Sequence, residues 1–227
     1  MTTETTTPSR RPFRGLRMFV YALLTLAALA AAAIFGWWWF TTSIETPAYT
    51  VSERATGVDI EIRDYPKMVV AEVTREGERW EAVRQGFRAL AAYIFAKNRG
   101  GGEIAMTAPV TQEQDKIAMT APVTQESAGG AGRWTIRFIM PSEYAMAELP
   151  APGGDVKLTE VAPERRAAIR FAGVATDEAL KAREAQLREW IAARGLTANG
   201  AATYAYYNDP WTPGFLRRNE VIISLAP

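Results

Sequence analysis

Residues 58–98 read VDIEIRDYPKMVVAEVTREGERWEAVRQGFRALAAYIFAKN. Val58, Ile60 and Ile62 alternate with Asp59, Glu61 and Arg63, the period of a half-buried strand, which puts the carboxylates of Asp59 and Glu61 on its solvated face. Tyr65-Pro66 turns the chain into a second strand, Met68 to Val73. From about Glu78 the period changes. Trp80, Val83, Phe87, Leu90 and Ile94 fall on one helical stripe, which Asn98 and Gly100 to Gly102 end.

The same order recurs downstream. Two strands are expected within 104–126 and at Trp134 to Met140, then two more at Val156 to Val161 and Arg165 to Phe171. Thr176 caps a second helix, with Asp177 and Glu178 in its first turn, Leu180, Leu187 and Ile191 as its inner stripe, and Gly195 as its stop. Tyr204 to Tyr207 and Val221 to Leu225 close the pattern. Two ββαββ units joined by short turns predict an α+β fold, an antiparallel sheet curled against both helices.

Between the first helix and the middle of the chain lies an internal repeat. Ile104 to Glu113 and Ile117 to Glu126 are both IAMTAPVTQE, with Gln114-Asp115-Lys116 between them in a position that suits a hairpin. Pro109 and Pro122 lack an N–H, so each belongs at an edge or a bulge. Either the second copy lengthens a hairpin, or Met106 and Met119 with their neighbouring threonines line a pocket for an irregular apolar ligand.

The 227 residues include Lys+Arg 26 and Asp+Glu 25, net charge +1, no His and no Cys. That excludes disulfides, Cys- or His-ligated metals, a thiol nucleophile and a Ser-His-Asp triad. A near-neutral balance argues against the basic face that a nucleic-acid backbone requires.

Arg10, Arg11, Arg14 and Arg17 precede the uncharged run from Met18 to Phe40, long enough at 1.5 Å per residue to cross a hydrocarbon core of roughly 30 Å. The positive-inside rule gives it an N-in orientation, with Trp37 to Trp39 at the far interface. The expected division is a basic cytoplasmic stub (1–17), a transmembrane helix (18–40), a tether (41–50) and a domain (51–227) outside the cytoplasm, at the inner membrane. The run is either a retained signal-anchor or an export signal, since Ala30 to Ala33 could be cleaved and Ser9 to Phe13 resembles a twin-arginine motif.

IEIRDY at 60–65, FRALAAYIFAKN at 87–98, KIAMTAPV at 116–123, IMPSEY at 139–144 and DPWTPGFLRRNEV at 209–221 resemble the SOUL/haem-binding protein family in family order, over nearly all of 47–226. The resemblance implies two ββαββ-like halves forming a distorted antiparallel barrel with two flanking helices. It implies binding of haem or another tetrapyrrole in an apolar cleft along the first helix of the domain, at Arg84, Phe87, Arg88 and Ala91. Where some members carry a proposed axial histidine, this chain has Asp64. Iron would then be left to a residue such as Tyr65, Met106 or Met119, or to no protein ligand at all. Read without the family, Arg84 and Arg88 fit a solvated helix face and Phe87 a core position better than they fit a ligand site.

No catalytic constellation stands out. Gly100 to Gly102 lack the following Gly-Lys-Ser/Thr of a phosphate cradle, and Arg217-Arg218-Asn219-Glu220 reads as an Arg–carboxylate network pinning the last strand. The sequence therefore points to a binding module, a carrier or scavenger of a tetrapyrrole rather than an enzyme. A module for another apolar, effector-like ligand is the alternative, and an uncharacterised enzyme a more distant one.

Overall fold

The computed structural model describes residues 13–42, 45–98, 100–114, 132–208 and 211–227. The chain divides into two compact units, Met1–Ile44 and Glu45–Pro227. The first contains helix α1 (Phe13–Thr42). Among the described residues no helix is long and apolar enough to cross a membrane. The expected transmembrane helix over 18–40, and with it the single-pass inner-membrane placement, is corrected accordingly.

The second unit repeats strand–strand–helix–strand–strand. Its first half is β2 (Ile60–Tyr65), β3 (Met68–Gly77), α2 (Arg79–Ile94), β4 (Val110–Gln114) and β5 (Gly132–Ile139). Its second is β6 (Lys157–Val161), β7 (Glu164–Ala172), α3 (Asp177–Ala193), β8 (Ala198–Tyr206) and β9 (Arg218–Leu225). Strand β1 (Thr50–Arg54) precedes both and pairs with β2. Among the described residues nine strands form one sheet in the order β1-β2-β7-β9-β8-β4-β5-β3-β6, antiparallel at every junction. The two halves interleave, β2 pairing with β7, β4 with β8 and β3 with β6; at the middle of these junctions Val110 faces Tyr206 and Gln112 faces Tyr204.

The expected barrel is not formed; the sheet is open. A closed barrel needs its terminal strands to hydrogen-bond to each other, whereas β1 pairs with β2 and β6 with β3. Both edges carry charges, Glu53 and Arg54 on β1, Lys157 and Glu160 on β6, which discourage edge-to-edge pairing.

Strand alternation places two cores on one face of the sheet, one beneath each helix. Ile60, Ile62, Ile169, Val221 and Ile223 pack under Leu180, Leu187 and Ile191 of α3. Val69, Ala71, Val73, Ile136 and Phe138 pack under Ala82, Leu90, Tyr93 and Ile94 of α2. The cap expected for α3 is present, the Thr176 hydroxyl accepting from the Ala179 N–H at 3.2 Å.

Helix α2 sits close on β5 because Gly86 has no side chain. A Cβ there would lie 2.8–2.9 Å from the side chain of Ile136. Gly86→Ala is therefore expected to destabilise by about 1–3 kcal/mol through overpacking, despite a helix-propensity gain of about 1 kcal/mol. Urea denaturation of G86A, I136A and the double variant checks this. The double variant should lose less than the sum of the singles.

Candidate functional site

The first turn and outer face of α2 carry the aromatic and cationic side chains expected of a binding surface. Trp80, Arg84, Phe87 and Ala91 recur at helical spacing on one face, while Ala82, Gly86, Leu90 and Tyr93 are buried. Phe87 is 39% exposed and Trp80 50%. Both are oriented by the sheet beneath. The Phe87 ring meets Phe138 of β5 edge-on, centroids 5.3 Å apart, and Trp80 lies against Tyr206 of β8 at 5.6 Å.

Arg79 fixes this end of the shelf. Buried to 6% exposure, it donates through Nε to Asp177 Oδ1 at 2.7 Å, through Nη1 to the Tyr206 hydroxyl at 2.8 Å and through Nη2 to the Ala175 carbonyl at 3.2 Å. Its guanidinium also stands 4.3 Å over the Trp80 ring. Burial pushes the Tyr206 phenol up to about 12, against the opposing pull of the Arg79 charge, so Tyr206 is a neutral hydroxyl at neutral pH. Along the rim Arg84 and Arg88 are exposed. Arg84 pairs with Glu81.

The predicted site residues are only partly brought together. Arg84, Phe87, Arg88 and Ala91 share α2, and Met106 packs half-buried against the core beneath that helix. Tyr65 lies on the opposite, helix-free face, where its hydroxyl accepts from Arg63 Nη1 at 3.2 Å. Met119 and the whole second repeat copy lie outside the described residues. In the first copy strand pairing begins only at Val110, after Pro109. Tyr65 therefore cannot share a ligand with the exposed side chains of α2. Among the described residues no group of His, Cys, Asp or Glu could hold a metal ion.

The sequence reading missed Trp80 as a surface aromatic, and Arg79 and Tyr206 as its supports. It also put Glu61 in solvent, whereas Glu61 and Arg63 are 3% and 1% exposed. On the helix-free face the Arg63 guanidinium donates Nη1 to Glu220 Oε2 at 2.7 Å, Nη2 to Glu220 Oε1 at 3.1 Å and Nε to Glu61 at 2.9 Å. Glu220 further accepts from the Tyr207 hydroxyl at 2.7 Å, from Arg218 Nη2 at 2.7 Å and from Arg170 Nε at 3.3 Å. Burial alone would raise its pKa. These donors outweigh burial and hold the carboxyl down to about 2, while the Tyr207 phenol is pushed well above its usual value. The Arg–carboxylate network expected from Arg217 to Glu220 thus exists, centred on Glu220 and reaching across to β2.

The fold recurs in solved structures. The C-terminal domain of EcmrR superposes with TM-score 0.55 at 8% identity, over 75% of this chain and 99% of that one. A hydrolase from Listeria innocua does so with TM-score 0.52 at 12% identity, over 75% of this chain and 94% of that one. Such identities show a shared fold alone. No curated protein sequence matches the chain. The family model described as SOUL heme-binding protein matches residues 44–224, which takes in the sheet up to Ser224, the α2 shelf and the Glu220 network. The chain belongs to the SOUL heme-binding protein family.

Proposed function

We propose that the outer face of α2 binds a tetrapyrrole, haem or a metal-free porphyrin, and that the protein acts as a carrier or scavenger rather than as a catalyst. Trp80, Phe87 and Ala91 would lie against the ring, and Arg84 and Arg88 would pair with its carboxylates. Phe87 carries this reading. A ring left 39% exposed on a helix, yet fixed edge-on against Phe138, is a preoriented apolar surface, of the kind a large planar ligand covers at little ordering cost.

The chain contains no His or Cys to ligate iron, and the Tyr65 hydroxyl is turned to the far side of the sheet. Recognition then rests on the ring and its carboxylates. Hemin and metal-free protoporphyrin should compete for one site with dissociation constants within about threefold of each other, less than 1 kcal/mol apart. Changing both Arg84 and Arg88 to Ala should weaken each ligand severalfold, since exposed ion pairs contribute about 0.2–1 kcal/mol apiece, and added salt should shrink the difference. Competition titrations by absorbance at two salt concentrations measure both effects. A hemin affinity a hundredfold above that of the metal-free ring would show that iron ligation dominates and overturn this form of the reading.

A further inference from the structure

The helix-free face holds a separate cavity of about 50 Å³, space for roughly four water-sized molecules. Its roof is the segment leading into β1, which contributes Pro47 and Tyr49. That segment is tied down where the Ala108 N–H donates to the Glu45 carbonyl and the Ser142 N–H to Glu45 Oε1, each at 2.9 Å. Tyr49 packs on Tyr65 at 5.3 Å.

Two features define what could enter. The formally charged groups among its described lining residues are Arg166 and Arg218. The carboxylates next to these arginines are already paired, Glu220 with Arg63, Arg170, Arg218 and Tyr207 and Glu164 with Arg166, so neither is left over to attract a cation. A guanidinium has five N–H donors. Arg166 spends Nε and Nη2 on Glu164, and Arg218 spends Nε and Nη2 on Glu220. Ile139 and Ile222 give the opposing wall an apolar surface.

We infer that this cavity is a binding site for a short-chain monocarboxylate, of about four to six non-hydrogen atoms. The carboxylate meets the N–H groups that these ion pairs leave over on the two arginines, Nη1 of each among them, and the alkyl end lies against the isoleucines beneath the Tyr49 roof. The site is distinct from the α2 shelf and does not depend on it.

Titration of the full chain with butyrate, followed by protein NMR chemical shifts, tests this. Saturable shifts are expected with a dissociation constant of about a millimolar, modest because so few atoms are buried. Ile139→Phe, which fills the cavity without touching an ion pair, and Arg166→Gln should each weaken binding at least tenfold. Both variants are checked for folding by circular dichroism. Butylamine, a cation of similar length, should give no saturable shift, and hemin binding should be unchanged in the Ile139→Phe variant. Non-saturable butyrate shifts, equal binding of butylamine, or wild-type affinity in either folded variant would overturn the assignment. Loss of hemin binding with retained butyrate binding would count against the α2 reading alone.

Discussion

Arg63→Met is expected to lower the free energy of unfolding by about 3–5 kcal/mol, equivalent to a fall in midpoint temperature of roughly 6–20 °C for a domain of this size. The Arg63 side chain is 1% exposed and makes a two-pronged contact with Glu220, which is itself fully buried. It also satisfies Glu61 and Tyr65. Methionine fills much of the volume, so the loss is electrostatic: Glu220 and Glu61 keep their burial but lose their central donor. Replacing both partners, Arg63→Met with Glu220→Leu, should recover part of the loss, because a buried pair offsets its desolvation only when both charges are present. A loss below 1 kcal/mol in the single variant, measured by urea denaturation, would contradict the role assigned to Arg63.

The same cluster sets the response to acid. Glu220 is held down to about 2 in the folded protein from an ordinary 4.5, and Glu61 is lowered with it. A depressed carboxyl binds fewer protons in the folded state than in the unfolded one. Its contribution is therefore complete above pH 4.5 and is lost as pH falls from 4.5 through 2. For Glu220 the loss amounts to ~3 kcal/mol across that window. Glu220→Gln should be less stable than wild type at neutral pH and should show a flatter stability profile between pH 4.5 and 2. Parallel profiles for the two proteins over that window would exclude Glu220 as the acid-sensitive group.

Much of this architecture was legible in the residues. The change from alternation at 58–73 to helical spacing at 80–94, repeated at 165–191, gave both helices and the strand pairs beside them. The family markers identified the domain. What the sequence could not give were facts that depend on pairing across the chain. Glu61 occupies a polar slot in an alternating strand and reads as solvated, yet its partner cluster includes Glu220, separated from Arg63 by 157 positions. Closure of a barrel depends on whether two edge strands meet, and neither β1 nor β6 announces its neighbour. Thr50 was read as the end of a tether, although it pairs with Asp64 in the ladder between β1 and β2. At the candidate site the helix itself was readable from spacing, although Arg84, Phe87, Arg88 and Ala91 came from the family resemblance and spacing grouped Trp80 and Phe87 with the buried Leu90 and Ile94. The outward half of Trp80 and Phe87 was not, because exposure on a helix flank is decided by the strands under it. Tyr65 and the α2 residues were grouped by chemistry, and the sheet separates them onto opposite faces.

The central claim is that Phe87 and its neighbours on α2 form the tetrapyrrole surface, and a hemin titration of the full chain tests it most directly. Wild-type protein should give a saturable shift of the Soret band. Phe87→Ala should weaken binding about tenfold to a hundredfold, the consequence of removing about 1.5–3 kcal/mol of aromatic burial, while circular dichroism shows the fold retained. An unshifted Soret band with micromolar wild-type protein, or an unchanged affinity in folded Phe87→Ala, would contradict the account.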